Sequence, residues 1–342
     1  MRLDTTVVLD LKIDSLDRIV VLQLGTSGQT TISRFFNDGR PDVSFGAVGS
    51  VDLAIGSADT YGAAIALDNS GNIYATGSVM DPDSLMFVAK VSSAGVLDSS
   101  FGTGGFEEVA LDPTGMTQSG GEAILVDAAG NVLVTGSSEA PVGHVVDLVR
   151  LAPDGSLDST FAHGVGFTQT DVLPTDIGDH GSIGTSIAED SAGNIVVAGL
   201  AISSTSSMSM FAARYTGEGD FDMGFSSGTP KLLSVPSSVG ARARDVAIDG
   251  RGNILISGLI EDSSYKTAAI VFRLAHDGTA DSTFGSAGAA MISTSDQGQG
   301  GRMAFSHEGN ILMASSSAIY MSAWVNKVLD YDPLVVMPPS GF

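Results

Sequence analysis

Short apolar runs alternate along the chain with polar, glycine-rich connections, and no long helical stretch is visible. Residues 194–199, Asn-Ile-Val-Val-Ala-Gly, are typical of these runs, which are bounded by Gly, Asp and Ser. Apolar runs of about four to eight residues between turn-forming residues indicate buried β-strands. No run approaches the length of about 20 residues that crosses a membrane as a helix. The pattern therefore predicts an all-β chain.

One polar signature recurs five times with identical spacing. A basic residue ends an apolar run and is followed by Gly five positions later, Asp eight positions later and Phe eleven positions later. The copies are Arg34, Gly39, Asp42 and Phe45; Lys90, Gly95, Asp98 and Phe101; Arg150, Gly155, Asp158 and Phe161; Arg214, Gly219, Asp222 and Phe225; and Arg273, Gly278, Asp281 and Phe284.

Each position of this signature has a structural interpretation. We expect the glycines to adopt positive φ in a turn, and the aspartates to accept hydrogen bonds from turn amides. The basic residue pairs either with the Asp of its own repeat or with an acid of the adjacent repeat. We expect the phenylalanines to pack between neighbouring repeats.

A second signature, a Gly-Asn turn between two apolar runs, lies roughly twenty residues before each basic residue. Its copies are Gly71-Asn72, Gly130-Asn131, Gly193-Asn194, Gly252-Asn253 and Gly309-Asn310, with Leu16-Asp17 as a degenerate first copy. The intact turns follow one another at 59, 63, 59 and 57 residues. Lys327 is the sixth copy of the basic position, but the Gly, Asp and Phe that should follow it are missing. The chain thus contains six repeats, the last incomplete.

Each repeat is predicted to form four strands, A to D, which in the second repeat are residues 62–67, 73–77, 86–91 and 106–111. Four antiparallel strands joined by hairpins form a blade, which exposes two apolar faces until neighbouring blades pack against it. The sequence therefore predicts an all-β, six-bladed β-propeller with four-stranded antiparallel blades, in preference to an open solenoid. Seven blades with one divergent copy are the remaining alternative.

We expect residues 1–342 to form a single β-propeller domain. Its repeats lie at about 1–55, 56–112, 113–174, 175–235, 236–293 and 294–342. Because an unclosed ring leaves strand edges unpaired, we expect closure by pairing of the chain termini. Either residues 334–337 or the N-terminal residues 3–8 supply the missing outer strand of the last blade.

Several stretches carry a family resemblance. Residues 87–102, 148–161 and 272–285 resemble the delta-60 repeat, and the Asp-x-x-Gly-Asn segments at 68–77, 127–136 and 249–258 are similar to its first half. The resemblance covers about residues 10–330. It implies a bacterial β-propeller-like protein, often part of a secreted or cell-surface polypeptide, and it implies no activity. No signal peptide is visible, because the first ten residues lack a basic region followed by an apolar run.

The net charge of the chain argues against several classes of binding partner. The chain carries 16 Lys and Arg against 39 Asp and Glu, a net charge of −23, so its field repels phosphate backbones and anionic headgroups. We therefore expect no nucleic-acid partner and no membrane insertion. The chain contains no Cys, which excludes disulfides, thiolate metal sites and thiol nucleophiles.

The connections that vary between repeats are predicted to share one face of the propeller. They are residues 79–85, 138–144, 201–208 and 260–267 between strands B and C, and residues 171–182 and 235–241 between strands D and A. Variation on one face favours recognition there. The candidate ligand-binding residues at the entrances of the innermost strands are Glu122, His180, Arg242, Arg244 and Arg302.

Two hypotheses use these residues. Arginine is scarce in this chain, so three arginines near strand A form a candidate anion-binding cluster, unless they only neutralise the acidic excess around a water-filled channel. We predict a non-catalytic binding or scaffold module for a protein, a glycan or a small anionic ligand. The alternative is a propeller-type hydrolase or lyase with a site at the central axis on the same face.

No cofactor and no metal site are predicted. Asp81 and Asp83, like Asp330 and Asp332, offer paired carboxylates, but neither pair continues into a calcium loop with its Gly and terminal Glu. We interpret them as solvated loop acids, with a divalent cation as the alternative. The five histidines include no pair with the spacing of a zinc site.

Overall fold

The structure is a computed structural model of the chain, which divides into two compact units, Met1–Thr170 and Asp171–Phe342. The residues that it describes are 7–25, 29–54, 58–80, 84–111, 118–141, 143–176, 178–235, 238–264, 266–293, 298–305, 311–317 and 323–328.

The first unit contains three antiparallel sheets of four strands, each with its strands in chain order. Sheet 1 is formed by β1 (Val7–Ile13), β2 (Ile19–Leu24), β3 (Thr30–Phe35) and β4 (Ser50–Leu53). Sheet 2 is formed by β5 (Asp59–Leu67), β6 (Ile73–Met80), β7 (Ser84–Val91) and β8 (Phe106–Val109). Sheet 3 is formed by β9 (Ser119–Val126), β10 (Val132–Ala140), β11 (Gly143–Leu151) and β12 (Phe167–Thr170).

The second unit contains two further sheets of four strands and one with three described strands. Sheet 4 is formed by β13 (His180–Glu189), β14 (Ile195–Ile202), β15 (Met208–Tyr215) and β16 (Lys231–Leu233). Sheet 5 is formed by β17 (Ser238–Ile248), β18 (Ile254–Asp262), β19 (Thr267–Leu274) and β20 (Ala289–Ser293). Sheet 6 is formed by β21 (Gly298–Phe305), β22 (Ile311–Ser317) and β23 (Ala323–Val328).

The all-β prediction and the repeated four-stranded sheet are confirmed. The described residues contain no α-helix, only one turn of 3₁₀ helix at Ala162–Gly164. Part of the predicted N-terminal closing segment, Val7 and Val8, pairs with β2 in sheet 1. Residues 3–6 and 334–337 lie outside the described residues, so the six-bladed ring and its closure stay predictions.

In sheets 2 to 5, the first hairpin is closed by an Asp-x-x-Gly-Asn turn. In sheet 2, Asp68 Oδ1 accepts hydrogen bonds from the backbone N–H groups of Ser70 and Asn72, and Asn72 Nδ2 donates to Asp68 Oδ2 at 2.7 Å. Gly71 adopts a φ of 78°. The same bonds recur at Asp127, Asp190 and Asp249. The turn is therefore specified by five consecutive residues.

In the first repeat, the turn lies one residue later than the sequence pattern predicted. Asp14 takes the place of the turn Asp and accepts from the backbone N–H groups of Leu16 and Arg18. Asp17, with a φ of 58°, stands where the other copies have Gly, and Arg18 stands where they have Asn. Leu16-Asp17 is therefore not the counterpart of Gly-Asn, because the hydrogen bonds place Asp17-Arg18 there.

The connection between the third and fourth strands holds the other signature together. Arg34 Nε donates to Asp42 Oδ2 at 2.9 Å, and the guanidinium lies 4.5 Å from the centroid of the Phe45 ring. The corresponding ion pairs within single repeats are Lys90–Asp98, Arg150–Asp158, Arg214–Asp222 and Arg273–Asp281. Of the two predicted arrangements, the basic residue thus pairs with the Asp of its own repeat.

The repeated phenylalanines pack between successive sheets, as predicted. Phe45 lies in the core between sheets 1 and 2, Phe101 between sheets 2 and 3, Phe225 between sheets 4 and 5, and Phe284 between sheets 5 and 6. The signature glycines all have positive φ, from 81° to 91°. The sequence did not predict that a methyl group on Gly95 would lie 2.3 Å from the backbone nitrogen of Gly46 in the preceding sheet.

The first strand of every sheet carries a β-bulge at the same place. The extra residues are Leu9, Ala63, Glu122, Thr185, Arg244 and Gly301. A polar side chain directly after the bulge can accept a hydrogen bond from the first strand of the following sheet. Asp245 Oδ2, for example, accepts from the Met303 N–H at 3.1 Å. Ser186 and Asp10 make the corresponding bonds to Val246 and Ile65. Within a unit, these bonds fix the first strands relative to one another.

The predicted variable loops are shorter than the sequence suggested. Strand β10 continues to Ala140 and β11 starts at Gly143, so most of the predicted loop 138–144 is paired. Likewise, β13 begins at His180 and β17 at Ser238, inside the predicted connections 171–182 and 235–241. Small polar residues suggested loops here, but backbone pairing does not require apolar side chains.

Candidate functional site

Arg242 and Arg244 lie on β17, the first strand of sheet 5. Arg242 lies between the buried Ala241 and Ala243, so its side chain leaves the strand on the less buried side. Both arginines are half-buried. Arg244 is the extra residue of the bulge, between Ala243 and Asp245.

Arg302 lies on β21, next to the bulge of β17. The contacts of its two neighbours, Gly301 and Met303, set its position. A methyl group on Gly301 would lie 2.9 Å from the Cα atom of Gly258, which pairs with Ala243. On the other side, the N–H of Met303 donates to Asp245. The backbone of Arg302 therefore runs beside residues 243–245, and the structure brings the three predicted arginines into one neighbourhood.

Arg242 and Arg302 differ from the arginines of the repeat signature. Each signature arginine contacts an Asp of its own repeat at 2.7–2.9 Å. Within the part of the chain that the structure describes, neither Arg242 nor Arg302 forms an ion pair. Asp245 is close in sequence, but its carboxylate accepts from the Ser186 hydroxyl and the Met303 N–H.

His180 is the first residue of β13, and its ring holds the connection that precedes it. Nδ1–H donates to the Gly178 carbonyl oxygen at 2.7 Å, and Nε2–H donates to Asp171 Oδ1 at 3.0 Å. Both partners are acceptors, so the protonated form of the ring satisfies both contacts. The bond to Gly178 and the neighbouring Asp171 carboxylate raise the pKa of His180 above its usual value. With both nitrogens engaged, the ring is not free to act as a base.

His180 also lies at a different position along its strand from the arginines, relative to the β-bulge that the first strands share. It precedes the bulge residue of β13, Thr185, by five positions, whereas Arg244 is itself the bulge residue of β17. At about 3.3 Å per residue, this separation is about 16 Å along the strand direction. Glu122 is the exposed bulge residue of β9 in the first unit.

The aspartates considered as cation ligands are not among the described residues. They are Asp81, Asp83, Asp330 and Asp332. Among the residues that are described, no three His, Asp or Glu side chains are grouped closely enough to hold a metal ion. The same residues include no helix of the length and hydropathy needed to cross a membrane.

The sequence pattern did not predict two features of the first unit. An open groove of about 560 Å³ is lined by Leu97, Thr103, Phe106, Glu107 and Glu108, among others. Burial, with Glu108 and Asp154 nearby, raises the pKa of Glu107. The second feature is a fully buried carboxyl group, that of Asp147 on β11.

Comparison with known proteins supports a β-propeller repeat. A family model described as a domain of unknown function (DUF5122) beta-propeller matches residues 130–161. This stretch contains the Gly-Asn turn and the basic, Asp and Phe positions of the third repeat. The match supports a β-propeller repeat family, while the delta-60 name stays a prediction. The comparison with curated proteins found no match.

Several solved structures are similar to this chain at low identity. A protein of unknown function from Dyadobacter fermentans is 15% identical, with 75% of this chain and 74% of that chain covered and a TM-score of 0.47. A protein of unknown function from Bacteroides caccae is 13% identical, with coverages of 88% and 84% and a TM-score of 0.42. A gluconolactonase from Xanthomonas campestris is 12% identical, with coverages of 88% and 80% and a TM-score of 0.41. Similarities at this level carry no argument about function.

Proposed function

We propose that the chain is a non-catalytic recognition module in which Arg242, Arg244 and Arg302 bind an anionic group of the ligand. The observation that supports this function is the position of Arg302 beside residues 243–245, together with the lack of an acidic partner for Arg242 and Arg302 among the described residues. In a chain with a net charge of −23, an anion needs such a local concentration of cations to bind.

The chemistry of the arginines restricts the class of ligand that the site can bind. A guanidinium presents parallel N–H donors that fit a carboxylate or a sulfate, and it keeps its charge at any physiological pH. An acidic glycan, or an acidic segment of a protein, supplies such groups. His180 is left out of this binding set because both its ring nitrogens are engaged, and Glu122 because a carboxylate repels the same anion.

The hydrolase or lyase alternative needs a group that exchanges a proton with the substrate. Among the five candidate residues, His180 is an ordinary group for this role, and the two acceptors on its ring argue against it. No other described contact favours this alternative.

We also propose the overall architecture of the chain. We place the six sheets in one closed six-bladed propeller, with the last blade completed by pairing between the chain termini, because closure removes open strand edges. An experimental structure of the full chain tests both the number of blades and the closing strand.

Replacement of Arg242 or Arg302 by alanine is expected to weaken anion binding by about 10- to 100-fold for each residue. This range corresponds to the loss of one charged hydrogen-bonding group, about 1.5–3 kcal/mol. The measurement is isothermal titration calorimetry with uronic-acid oligosaccharides, sulfated oligosaccharides and citrate, with neutral oligosaccharides as the ligand control.

Arg251→Ala is the matched control variant. Arg251 is an exposed arginine of the same sheet, in the turn between β17 and β18. Its replacement should leave the affinity unchanged. Binding that is equally weakened by Arg251→Ala, or no binding of any of these anions to the intact chain, contradicts the proposed function.

A further inference from the structure

Asp147 is a fully buried carboxyl group with one oxygen unpartnered. Its Oδ1 accepts a hydrogen bond from the Ser138 hydroxyl at 2.8 Å and a longer one from Gln169 Nε2 at 3.3 Å. Its Oδ2 is buried and has no hydrogen-bond partner among the described residues. A carboxylate in this position would leave one anionic oxygen without solvent or a donor, which is costly.

The position is apolar in three other repeats. Asp147 pairs with Gly136 on β10, and the residues with the same pairing in sheets 2, 4 and 5 are Phe87, Phe211 and Ile270. Sheet 3 thus carries an acid at a position that is buried and apolar in sheets 2, 4 and 5.

No charged group compensates Asp147 among the described residues. Ser138 of β10 and Gln169 of β12 are neutral, and Val149, on the same face of β11, packs with Met86 and Val88 of sheet 2. The other acids and bases of these elements lie elsewhere: Glu139 and His144 at the exposed hairpin end, Glu107 near Glu108 and Asp154, Arg150 with Asp158, and Lys90 of sheet 2 with Asp98. Burial raises the pKa of Asp147 to about 7, against smaller opposite effects of Ser138 and Gln169.

We propose that Asp147 is a proton-binding site that couples pH to the opening of sheet 3. In the closed sheet the group is a neutral carboxylic acid, held by Ser138 and Gln169. When β12 separates from β11, Asp147 reaches water and releases its proton. Opening therefore becomes easier as the pH rises, and acid keeps the sheet closed.

The pH window follows from the two states of the carboxyl group. Its pKa is about 7 in the closed sheet and about 3.9 once it is solvated. Below both values neither state releases a proton, and above both values both states are ionised. Between them, each pH unit raises the ratio of open to closed sheet about tenfold, and the rise levels off above the higher value.

Hydrogen exchange of the β12 amides, Phe167–Thr170, tests the proposal in the intact chain. After correction for the intrinsic exchange rate, the opening constant of the wild type is expected to rise about 50-fold between about pH 5 and pH 7, since half of the closed state is already ionised at the upper value. Asp147→Asn imitates the protonated acid and should show no such rise. Asp52→Asn makes the same change at an exposed residue of sheet 1 and should keep the wild-type rise.

A second measurement does not depend on any variant. In the wild type, carbon-13 NMR of the Asp147 carboxyl group should show titration near pH 7. Titration near pH 4, as for a solvated aspartate, overturns the proposal. A rise of the opening constant that persists in Asp147→Asn overturns it as well.

Discussion

Replacement of Phe101 by alanine is expected to lower the free energy of unfolding by about 3–5 kcal/mol. The ring is fully buried in the core between sheets 2 and 3 and lies edge-to-face with Tyr74, with ring centroids 5.9 Å apart. Removing it leaves a cavity that two sheets cannot both close, because each is held by its own hydrogen bonds. Urea denaturation followed by circular dichroism measures the loss.

Phe36→Ala is the matched control for this prediction. Phe36 lies in the same kind of connection in sheet 1, but it is 38% exposed, and its ring has the Arg40 guanidinium 5.8 Å away. Its loss should cost about 1 kcal/mol or less. Equal losses for the two variants would show that the signature phenylalanine does not join neighbouring sheets.

The turns could be predicted from the sequence because their chemistry is local. In residues 68–72 the acceptor, its donors and the residue with positive φ all lie within five positions, so the pattern in the sequence is also the pattern of hydrogen bonds. The close approach of Gly95 to Gly46 could not be predicted in this way. It depends on how sheet 2 packs against sheet 1, and the two residues are 49 positions apart.

The candidate site was predictable only in part. The scarcity of arginine drew attention to Arg242 and Arg302, but whether they have acidic partners depends on where Asp245 points. That carboxylate accepts from Met303, 58 residues later in the chain, which no local pattern reveals. The contact between His180 and Asp171 likewise depends on how a nine-residue connection folds back.

Asp147 could have been found from the sequence. Counting back three positions from the basic residue of each signature gives Phe87, Phe211 and Ile270 in three repeats and Asp147 in a fourth. A charged residue at a position that is apolar in three other repeats indicates an unusual environment. The apolar run around it, Val-Val-Asp-Leu-Val at 145–149, suggested a buried strand and concealed the exception.

Replacement of Asp42 by alanine is expected to cost about 3–5 kcal/mol of unfolding free energy, because it leaves a buried cation without its counter-charge. The side chains of Arg34 and Asp42 are only 3% and 2% exposed. Arg34 cannot turn to solvent, since its guanidinium covers the Phe45 ring and Nη1 donates to the Ser93 carbonyl oxygen of sheet 2 at 2.6 Å. Urea denaturation again measures the loss.

Asp98→Ala separates this charge effect from the hydrogen bonds of the turn. Asp98 and Asp42 each accept a backbone N–H two residues later at 3.1 Å, so the loss of that bond is common to both variants. The Lys90–Asp98 pair, however, is 15% and 29% exposed, and the freed ammonium can reach water. We therefore expect a loss of about 1 kcal/mol for Asp98→Ala. Similar losses at both sites would mean that the Asp stabilises each repeat through its turn alone, and that the ion pair adds nothing.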